Sequence, residues 1–254
     1  MQVMLYIIVF LFLLYVLLIL YYWRSWASIS DFKLPFLEFK PTTKITVIIP
    51  ARNEEKNIAI CLDALYNQSY PKEMFEVLVV DDHSTDNTAT IINSYADKGV
   101  KLILLKDFVT DELNSYKKKA IEIAIAQSTG ELIVTTDADC FANEHWLQTI
   151  VAFYEEYDPV FIAAPVGIRL AASSSQNTPQ GKFLQIFQAL DFMTFQGITG
   201  ASVHKKIHSM CNGANLAYTK KAFSEVGGFA GIDNIASGDD MLLMHKIYKL
   251  YPDK

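Results

Sequence analysis

The sequence predicts an α/β protein whose mostly parallel sheet is covered by helices on both faces, preceded by one membrane-spanning helix. Two observations predict the sheet. Short, almost continuously apolar segments alternate with segments of helical periodicity, and polar residues follow several of the apolar segments directly. The third observation, an amino-terminal run without charge, Gly or Pro, predicts the membrane helix.

The amino-terminal run covers residues 3–23 and is long enough to cross a hydrocarbon core about 30 Å thick. A cleaved signal peptide would begin with basic residues and have a shorter apolar core, so an anchor is the better interpretation. Aromatic residues end the run, and Arg24, Lys33, Lys40 and Lys44 follow it. The positive-inside tendency therefore predicts that the bulk of the chain is cytoplasmic. Residues 24–43 are predicted to form a juxtamembrane linker.

A single α/β domain is predicted over residues 44–254. Strands are predicted for Ile45–Ile49, Glu76–Val80, Lys101–Leu105, the run that starts at Glu131, Val160–Val166 and Leu216–Tyr218. One helix is predicted in the segment that follows Glu55 and ends near Asn67. Further helices are predicted for Asn87–Ala96, Lys117–Gln127, Asn143–Tyr157, Phe183–Phe195 and Met241–Tyr251. Residues 171–181, rich in Ser, Asn and Gln, are predicted to form a loop.

Composition excludes several classes of function. The net charge of −6 and the absence of a concentrated basic face argue against a nucleic-acid partner. The three cysteines are far apart and lack Cys-x-x-Cys spacing, which indicates neither a disulfide framework nor a structural zinc site.

Two carboxylates, Asp137 and Asp139, follow the apolar run that starts at Glu131. Residues at i and i+2 of an extended segment point the same way, so both can converge on one cation. Hard oxygen ligands suit Mg²⁺ or Mn²⁺, which share their remaining positions with water and substrate phosphates. The alternative is an ordinary turn, in which Asp is common because it bonds to the local backbone.

Polar clusters also follow the first and second predicted strands. They are Asn53 and Glu54 after the first strand, and Asp81, Asp82 and Asp86 after the second. Because the carboxyl ends of parallel strands meet at one edge of a sheet, these clusters are expected to lie near Asp137 and Asp139.

The ordered set of motifs resembles the inverting glycosyltransferases of family 2, which have the GT-A nucleotide-sugar-binding fold. The segments that show the resemblance are Ile48–Glu55, Val80–Asp86, Lys119-Ala120, Gly130-Glu131 with Thr136–Asp139, Cys211–Asn215, Val226–Phe229 and Gly238–Asp240. Each segment is a weak signal alone, but their order along the chain is specific.

The resemblance implies a role for each matching residue. Base and ribose would be held by Pro50, Ala51, Asn53, Glu54 and Asp82, with Asp81 and Asp86 supporting the turn. Lys119 would lie near the diphosphate, and Asp137 and Asp139 would bind the metal ion. The turn that contains Asn212, Gly213 and Asn215 would lie by the donor sugar and acceptor.

The resemblance also implies a general base. The family uses the final Asp of a Glu-Asp pair at a helix start, and Asp240 occupies that place, preceded here by Asp239. Asp240 is therefore favoured over Asp239. Acids at a helix start also complement its dipole, so both residues have a structural explanation too.

The expected function is the metal-assisted transfer of a sugar from a nucleoside diphosphate-sugar to a hydroxyl group, with inversion at the anomeric carbon. UDP is favoured as the nucleotide, and the acceptor is expected to be a lipid carrier or a polysaccharide. Two alternatives stay open: a nucleotidyltransferase of similar fold, and a non-catalytic, membrane-bound nucleotide-sugar binder. Family members continue into a Gln-x-x-Arg-Trp segment, so we expect the domain to be truncated at Lys254.

Overall fold

The computed structural model describes residues 2–34, 39–109, 114–169, 179–207 and 210–254. The chain divides into two compact units. One comprises Met1–Asp31 and Pro165–Met210, and the other comprises Phe32–Ala164 and Cys211–Lys254. Residues 35–38 of the predicted linker and residues 171–178 of the predicted loop lie outside the described residues.

The larger unit contains a six-stranded sheet. Its strands are β1 (Ile45–Ala51), β2 (Phe75–Asp81), β3 (Val100–Leu104), β4 (Leu132–Thr135), β5 (Phe161–Ala163) and β6 (Leu216–Thr219). They lie in the order β3-β2-β1-β4-β6-β5. The first four neighbours pair in parallel, whereas β6 pairs antiparallel with both β4 and β5. The sheet is thus mostly parallel, as predicted.

The described α-helices are α1 (Gln2–Ala27), α2 (Ile58–Tyr66), α3 (Thr88–Asn93), α4 (Tyr116–Gln127), α5 (Trp146–Tyr157), α6 (Pro179–His204), α7 (Lys220–Glu225) and α8 (Met241–Leu250). Side chains of α2, α3 and α5 pack on one face of the sheet, against Val47 and Ile49. Side chains of α4, α7 and α8 pack on the other face, against Ile48 and Ile133. Helices therefore cover both faces, which the near-continuous apolar strands require.

The smaller unit contains α1 and α6. The Ser25 hydroxyl donates to the Ala201 carbonyl at 2.6 Å, and both residues are buried. Gly200 faces the Trp26 ring so closely that a Cβ there would lie 2.9 Å from it. Helix α1 is long and apolar enough to cross a membrane, and it extends through the first four residues of the predicted linker.

Candidate active site

The strand register brings the predicted polar clusters to one edge of the sheet. Ala51 of β1 pairs with Asp81 of β2, and Ile48 pairs with Thr135 of β4. Thr135 also pairs with Leu216, the first residue of β6. Because β6 is antiparallel, the residues that precede it lie beside the residues that follow β4.

An open pocket with a volume of about 330 Å³ lies at this edge. Predicted site residues line it: Pro50, Ala51, Glu54, Asp82, Asp137 and Asp139. Arg52, Lys117 and Ala138 complete the lining. The pocket walls therefore come from the last residues of β1, from the segments after β1, β2 and β4, and from the first turn of α4.

Asp137 and Asp139 reach the pocket by a route that differs from the predicted one. Strand β4 ends at Thr135, and the Cys140 N–H donates to the Asp137 carbonyl at 3.1 Å, which closes a turn over residues 137–140. The two carboxylates line the pocket from this turn and not from extended backbone. The turn interpretation and the site interpretation are thus compatible.

Lys117 connects two acidic clusters of the site. Its Nζ lies 2.8 Å from Asp137 Oδ1 and 3.3 Å from Asp239 Oδ2. Burial lowers the pKa of the Lys117 ammonium, but the carboxylates of Asp239 and Asp137 outweigh burial, so the pKa is raised above its ordinary value. The acid after β4 and the acid before α8 therefore lie within reach of one cation.

Lys119, which the family resemblance implied for the diphosphate, lies elsewhere. Its Nζ contacts Glu122 Oε2 at 3.4 Å, and it is not part of the pocket lining. Side chains two positions apart on an α-helix point in directions that differ by about 200°. Lys117 and Lys119 consequently face opposite sides of α4, and Lys117 is the lysine at the pocket.

Asp82 lines the pocket and is 9% exposed. Its Oδ1 lies 2.9 Å from His83 Nδ1, and its Oδ2 lies 3.5 Å from Arg52 Nη1. Asp81 is buried beneath the same loop, where its Oδ2 accepts the Ser84 N–H at 3.3 Å. The other carboxylate oxygen of Asp81 has no hydrogen-bond partner among the described residues.

Asn53 and Glu54 join the loop after β1 to the loop after β2. Asn53 has a left-handed backbone conformation (φ 54°), which Asn tolerates better than most residues. Its Oδ1 accepts the Thr85 N–H at 2.8 Å, and its own N–H donates to Ser84 Oγ at 2.9 Å. The Glu54 N–H donates to Thr88 Oγ1, which in turn donates to Asp86. Asn53 and Asp86 thus shape the loops, whereas Glu54 also lines the pocket.

Asp240 caps α8 and contacts the turn before β6. Its Oδ1 accepts the Met241 N–H at 2.6 Å, and its Oδ2 accepts the Gly213 N–H at 3.0 Å. A Cβ on Gly213 would lie 3.2 Å from Asp239 Oδ2 and 3.6 Å from the Asp240 Cβ. The structure therefore brings Asp239, Asp240 and Gly213 together.

The remaining residues of that turn are also fixed. Asn212 Oδ1 accepts the Ala214 N–H at 3.0 Å, and Asn215 Oδ1 accepts the Trp146 ring N–H at 2.9 Å. The Thr135 hydroxyl donates to the Gly213 carbonyl at 3.0 Å. These contacts connect the turn to the end of β4.

Two cysteines lie near the acids. Burial raises the pKa of Cys61 to about 12, and it also raises the pKa of Cys140; the neighbouring Asp137 and Asp139 add to both shifts. Both side chains therefore stay protonated at neutral pH. A protonated thiol is a poor nucleophile and a poor metal ligand.

Arg52 and Lys117 are site residues that the sequence reasoning did not select. Helical periodicity could have identified Lys117, because it lies three and four residues before the apolar residues Ala120 and Ile121, which are buried on the inner face of α4. Lys119 lies three residues before Glu122 and so falls on the opposite side. Arg52 directly follows β1 and precedes Asn53 and Glu54, so its position after the strand was the available signal.

Comparison with known families identifies the chain. The sequence model described as "Glycosyl transferase family 2" matches residues 46–227. The chain belongs to this family. The match includes the Asp137–Asp139 segment, and it ends before Asp239 and Asp240.

Curated relatives in the family resemble parts of the chain. Poly(ribitol-phosphate) beta-N-acetylglucosaminyltransferase TarS of Staphylococcus aureus is 32% identical over 140 residues, which are 55% of this chain and 23% of TarS. A dolichyl-phosphate beta-glucosyltransferase of Trichomonas vaginalis is 36% identical over 187 residues, which are 66% of this chain and 52% of that protein. The chain thus spans between about a quarter and a half of these relatives.

Solved structures share the GT-A fold of the family. The mannosyltransferase PcManGT from Pyrobaculum calidifontis, in complex with GDP-Man and Mn²⁺, has a TM-score of 0.64 and 24% identity, over 91% of this chain and 59% of that one. Staphylococcus aureus TarS 1-349 in complex with UDP-GlcNAc has a TM-score of 0.54 and 23% identity, over 81% and 53% of the two chains.

The donor atoms at the pocket fit a hard divalent cation. Asp137 and Asp139 supply carboxylate oxygens, and a cationic group, the Lys117 ammonium, already contacts Asp137. Within the described residues, no three His, Cys, Asp or Glu side chains are grouped closely enough to hold a metal by themselves. Such an ion would therefore take its other ligands from substrate phosphates and water, as Mg²⁺ commonly does.

Proposed function

We propose that the chain transfers a sugar from a nucleoside diphosphate-sugar, with UDP as the nucleotide, to a hydroxyl group with inversion at the anomeric carbon. The observation that supports this most directly is the contact of Lys117 with both Asp137 and Asp239. One cationic side chain touches the segment proposed to bind the donor phosphates and the segment proposed to activate the acceptor. This arrangement is most simply explained if donor and acceptor react with each other between these two segments.

The nucleoside would bind in the pocket over Asp82. The backbone of Pro50 and Ala51 and the carboxylates of Glu54 and Asp82 line this part of the pocket. A carboxylate can accept the imide N–H of uracil, and Arg52 adds positive charge. Asn53 and Asp81 would support the loops that carry these groups.

The diphosphate would lie at Lys117, in place of the Lys119 that the family resemblance implied. Asp137 and Asp139 would hold Mg²⁺ or Mn²⁺, which would stabilise the negative charge that grows on the leaving nucleoside diphosphate. The complexes of the similar structures with UDP-GlcNAc and with GDP-Man and Mn²⁺ support a nucleotide-sugar donor and a divalent metal.

Asp240 would act as the general base. The acceptor oxygen forms a bond to the anomeric carbon from the face opposite the diphosphate, and the hydroxyl proton passes to the carboxylate. The bond from that carbon to the diphosphate oxygen breaks in the same displacement. We favour Asp240 over Asp239 because Asp239 already forms an ion pair with Lys117. The turn of Asn212, Gly213 and Asn215 would line the sugar and acceptor side.

The acceptor is proposed to be a lipid carrier or a polysaccharide. The name of one relative contains dolichyl phosphate, which is a lipid carrier. The name of another contains poly(ribitol-phosphate), a polyol-phosphate polymer, which supports a polymeric acceptor without specifying a polysaccharide. Helix α1 would anchor the chain in the membrane, with Arg24 and the catalytic unit on the cytoplasmic side.

Calorimetric titration tests the donor site. UDP, GDP and a deoxynucleotide would each be titrated into the full chain in detergent, with and without Mn²⁺. We expect Mn²⁺-dependent UDP binding that the Asp137→Asn/Asp139→Asn variant loses. Folded protein that binds neither UDP nor GDP with Mn²⁺ would contradict the proposal.

Transfer assays then test the reaction. UDP-sugars would be offered with lipid-phosphate and polysaccharide acceptors, and the anomeric configuration of the product would be determined by NMR. Pyrophosphate release from a nucleoside triphosphate would instead indicate nucleotidyl transfer. Donor binding without product from any acceptor would indicate a non-catalytic binder.

A further inference from the structure

Lys118 is a buried lysine whose contacts the proposed mechanism does not use. It lies on α4 between Lys117 and Lys119 and is 1% exposed. Burial of a charged ammonium is costly unless hydrogen bonds replace the lost water. The buried ammonium of Lys118 therefore requires hydrogen-bond acceptors inside the protein.

Three backbone carbonyls are these acceptors. Lys118 Nζ donates to the carbonyls of Ile232 at 2.8 Å, Ile235 at 2.7 Å and Ser237 at 2.8 Å. An ammonium group has three donors and no acceptor, so these contacts satisfy it completely. Among the described residues, no carboxylate forms an ion pair with Lys118. Its contacts therefore hold backbone carbonyls and not an acidic side chain.

The three carbonyls belong to one segment, residues 232–237, which forms neither helix nor strand. Gly238, with φ 78°, connects this segment to Asp239 and Asp240. The Ser115 hydroxyl adds a weaker contact to the Ala236 carbonyl at 3.4 Å. One side chain of α4 therefore binds three carbonyls of the backbone just before the proposed base.

The first turn of α4 thus contacts the site in two ways. Lys117 contacts the carboxylates of Asp137 and Asp239, while Lys118 holds the backbone that leads to Asp240. Asp240 in turn accepts the N–H groups of Gly213 and Met241. Displacement of residues 232–237 would therefore move Asp240 relative to the turn that contains Gly213.

We propose that Lys118 is a positioning residue that sets the location of the Asp240 carboxylate through the 232–237 backbone. The inference rests on the proposed function, in which Asp240 is the base. It assigns Lys118 no contact with substrate. Loss of its three hydrogen bonds should consequently lower the rate of transfer without weakening the binding of donor.

The first test is hydrogen exchange in Lys118→Met, which keeps an unbranched side chain, one atom shorter, and removes its donors. We expect the amides of Gly213 and Met241 to exchange at least about tenfold faster, while the β1 amides exchange as in the wild type. Lys101→Met is the matched control, because Lys101 contacts Gln127 at the other end of α4. Wild-type exchange at Gly213 and Met241 would overturn the proposal.

The second test is steady-state kinetics with UDP-sugar and Mn²⁺. We expect kcat of Lys118→Met to fall at least about tenfold, with KM for the donor and Kd for UDP changed less than about twofold. An equal loss in UDP affinity and kcat would overturn the positioning role. If the wild type transfers no sugar, the proposed function fails, and the exchange measurement still decides the role of Lys118.

Lys118→Arg replaces Lys118→Met if the latter does not fold. Arginine keeps the charge but places its donors in a plane, so it cannot match three converging carbonyls in the same way. Faster exchange at Gly213 and Met241 together with a lower kcat supports the proposal. Any other combination in the folded Arg variant overturns it.

Discussion

At the scale of single residues, Lys117 and Lys119 allow a direct comparison between two candidate phosphate ligands. Lys117 contacts Asp137 and Asp239, whereas Lys119 contacts Glu122. We expect Lys117→Met to lower kcat/KM for the UDP-sugar at least about tenfold, because it removes a positive charge from the pocket. Lys119→Met should lower it much less. Kinetics of the two variants, measured side by side, check this, and a larger loss in Lys119→Met would restore the role that the family resemblance implied.

The two acids before α8 provide a second prediction. Asp240→Asn keeps one acceptor oxygen for the Met241 N–H at the start of α8, but it removes the proposed base and the acceptor of the Gly213 N–H. We expect kcat to fall about 100- to 10,000-fold while UDP still binds. Asp239→Asn removes a partner of Lys117 and should lower kcat less. The comparison uses transfer rates at saturating donor and calorimetric UDP affinity. A larger kcat loss in Asp239→Asn would assign the base to Asp239.

The residue types of the site were predictable, but their contacts were only partly so. The positions of Asp82, Asp137 and Asp139 after predicted strands were sufficient to place them at one edge. The direction of the Lys117 side chain depends on the start of α4, and helix boundaries are the least certain part of sequence interpretation. Lys118 shows a further limit, because the carbonyls that it binds lie more than a hundred residues away along the chain.

At the scale of elements, the junction before β4 requires glycine. A Cβ on Gly130 would lie 2.5 Å from Ile45 C and from Thr46 N, which are backbone atoms of β1. We expect Gly130→Ala to lower the free energy of unfolding by about 1–3 kcal/mol through overpacking. Gly197→Ala on α6 is the control, since nothing lies within 4 Å of its added Cβ. Urea unfolding of both variants tests this, and a neutral Gly130→Ala would contradict the close contact.

Glu76 joins three elements at the opposite edge of the sheet. Its Oε1 accepts the Thr46 hydroxyl at 2.6 Å and the Thr129 N–H at 2.6 Å. Burial opposes ionisation, but these hydrogen bonds outweigh it and lower the pKa of Glu76 below 4.5. The stabilisation is therefore present above that pH and is lost as the pH falls through the lower, folded-state pKa.

We accordingly expect Glu76→Gln to lower the free energy of unfolding by about 1.5–3 kcal/mol at pH 7, with a smaller difference from the wild type below pH 4.5. Glu73→Gln, which changes an exposed carboxylate nearby, is the control. Urea unfolding at neutral and acid pH measures both. A difference for Glu76→Gln that stays constant with pH would contradict the role of its charge.

The type of most elements followed from periodicity, but α7 was not among the helices predicted from periodicity, and the direction of β6 did not follow from the sequence. Its run, Leu216–Thr219, is buried like the parallel strands, and a short apolar segment contains no information on orientation. The predicted helix at Phe183–Phe195 is part of the longer α6, which belongs to the smaller unit and not to the sheet. Local sequence patterns thus specify elements, while long-range contacts decide where they pack.

At the scale of the whole molecule, α1 leads to a prediction about location. Two charges at the centre of a membrane helix cost about 2.5–3.5 kcal/mol each. We expect Leu11→Lys/Leu14→Lys to move the protein out of carbonate-washed membranes, and Leu11→Ala/Leu14→Ala to leave it there. Quantitative blotting of the membrane and soluble fractions measures this. Full retention of the lysine variant in the membrane would argue against α1 as the anchor.

The insertion of β6 between β4 and β5 has a consequence for the order of folding. Strands β1 to β4 can pair with one another as soon as residue 135 has emerged from the ribosome, but β5 pairs only with β6 in the described sheet. More than fifty residues separate β5 from β6, and contacts this distant form slowly because a long loop must close first. On a nascent chain, one edge of β4 therefore stays open until Leu216–Thr219 has emerged from the ribosome. During that interval the exposed edge of β4 could pair with other chains. Chaperones, or rapid packing of strands β1 to β4 with their helices, would limit such pairing.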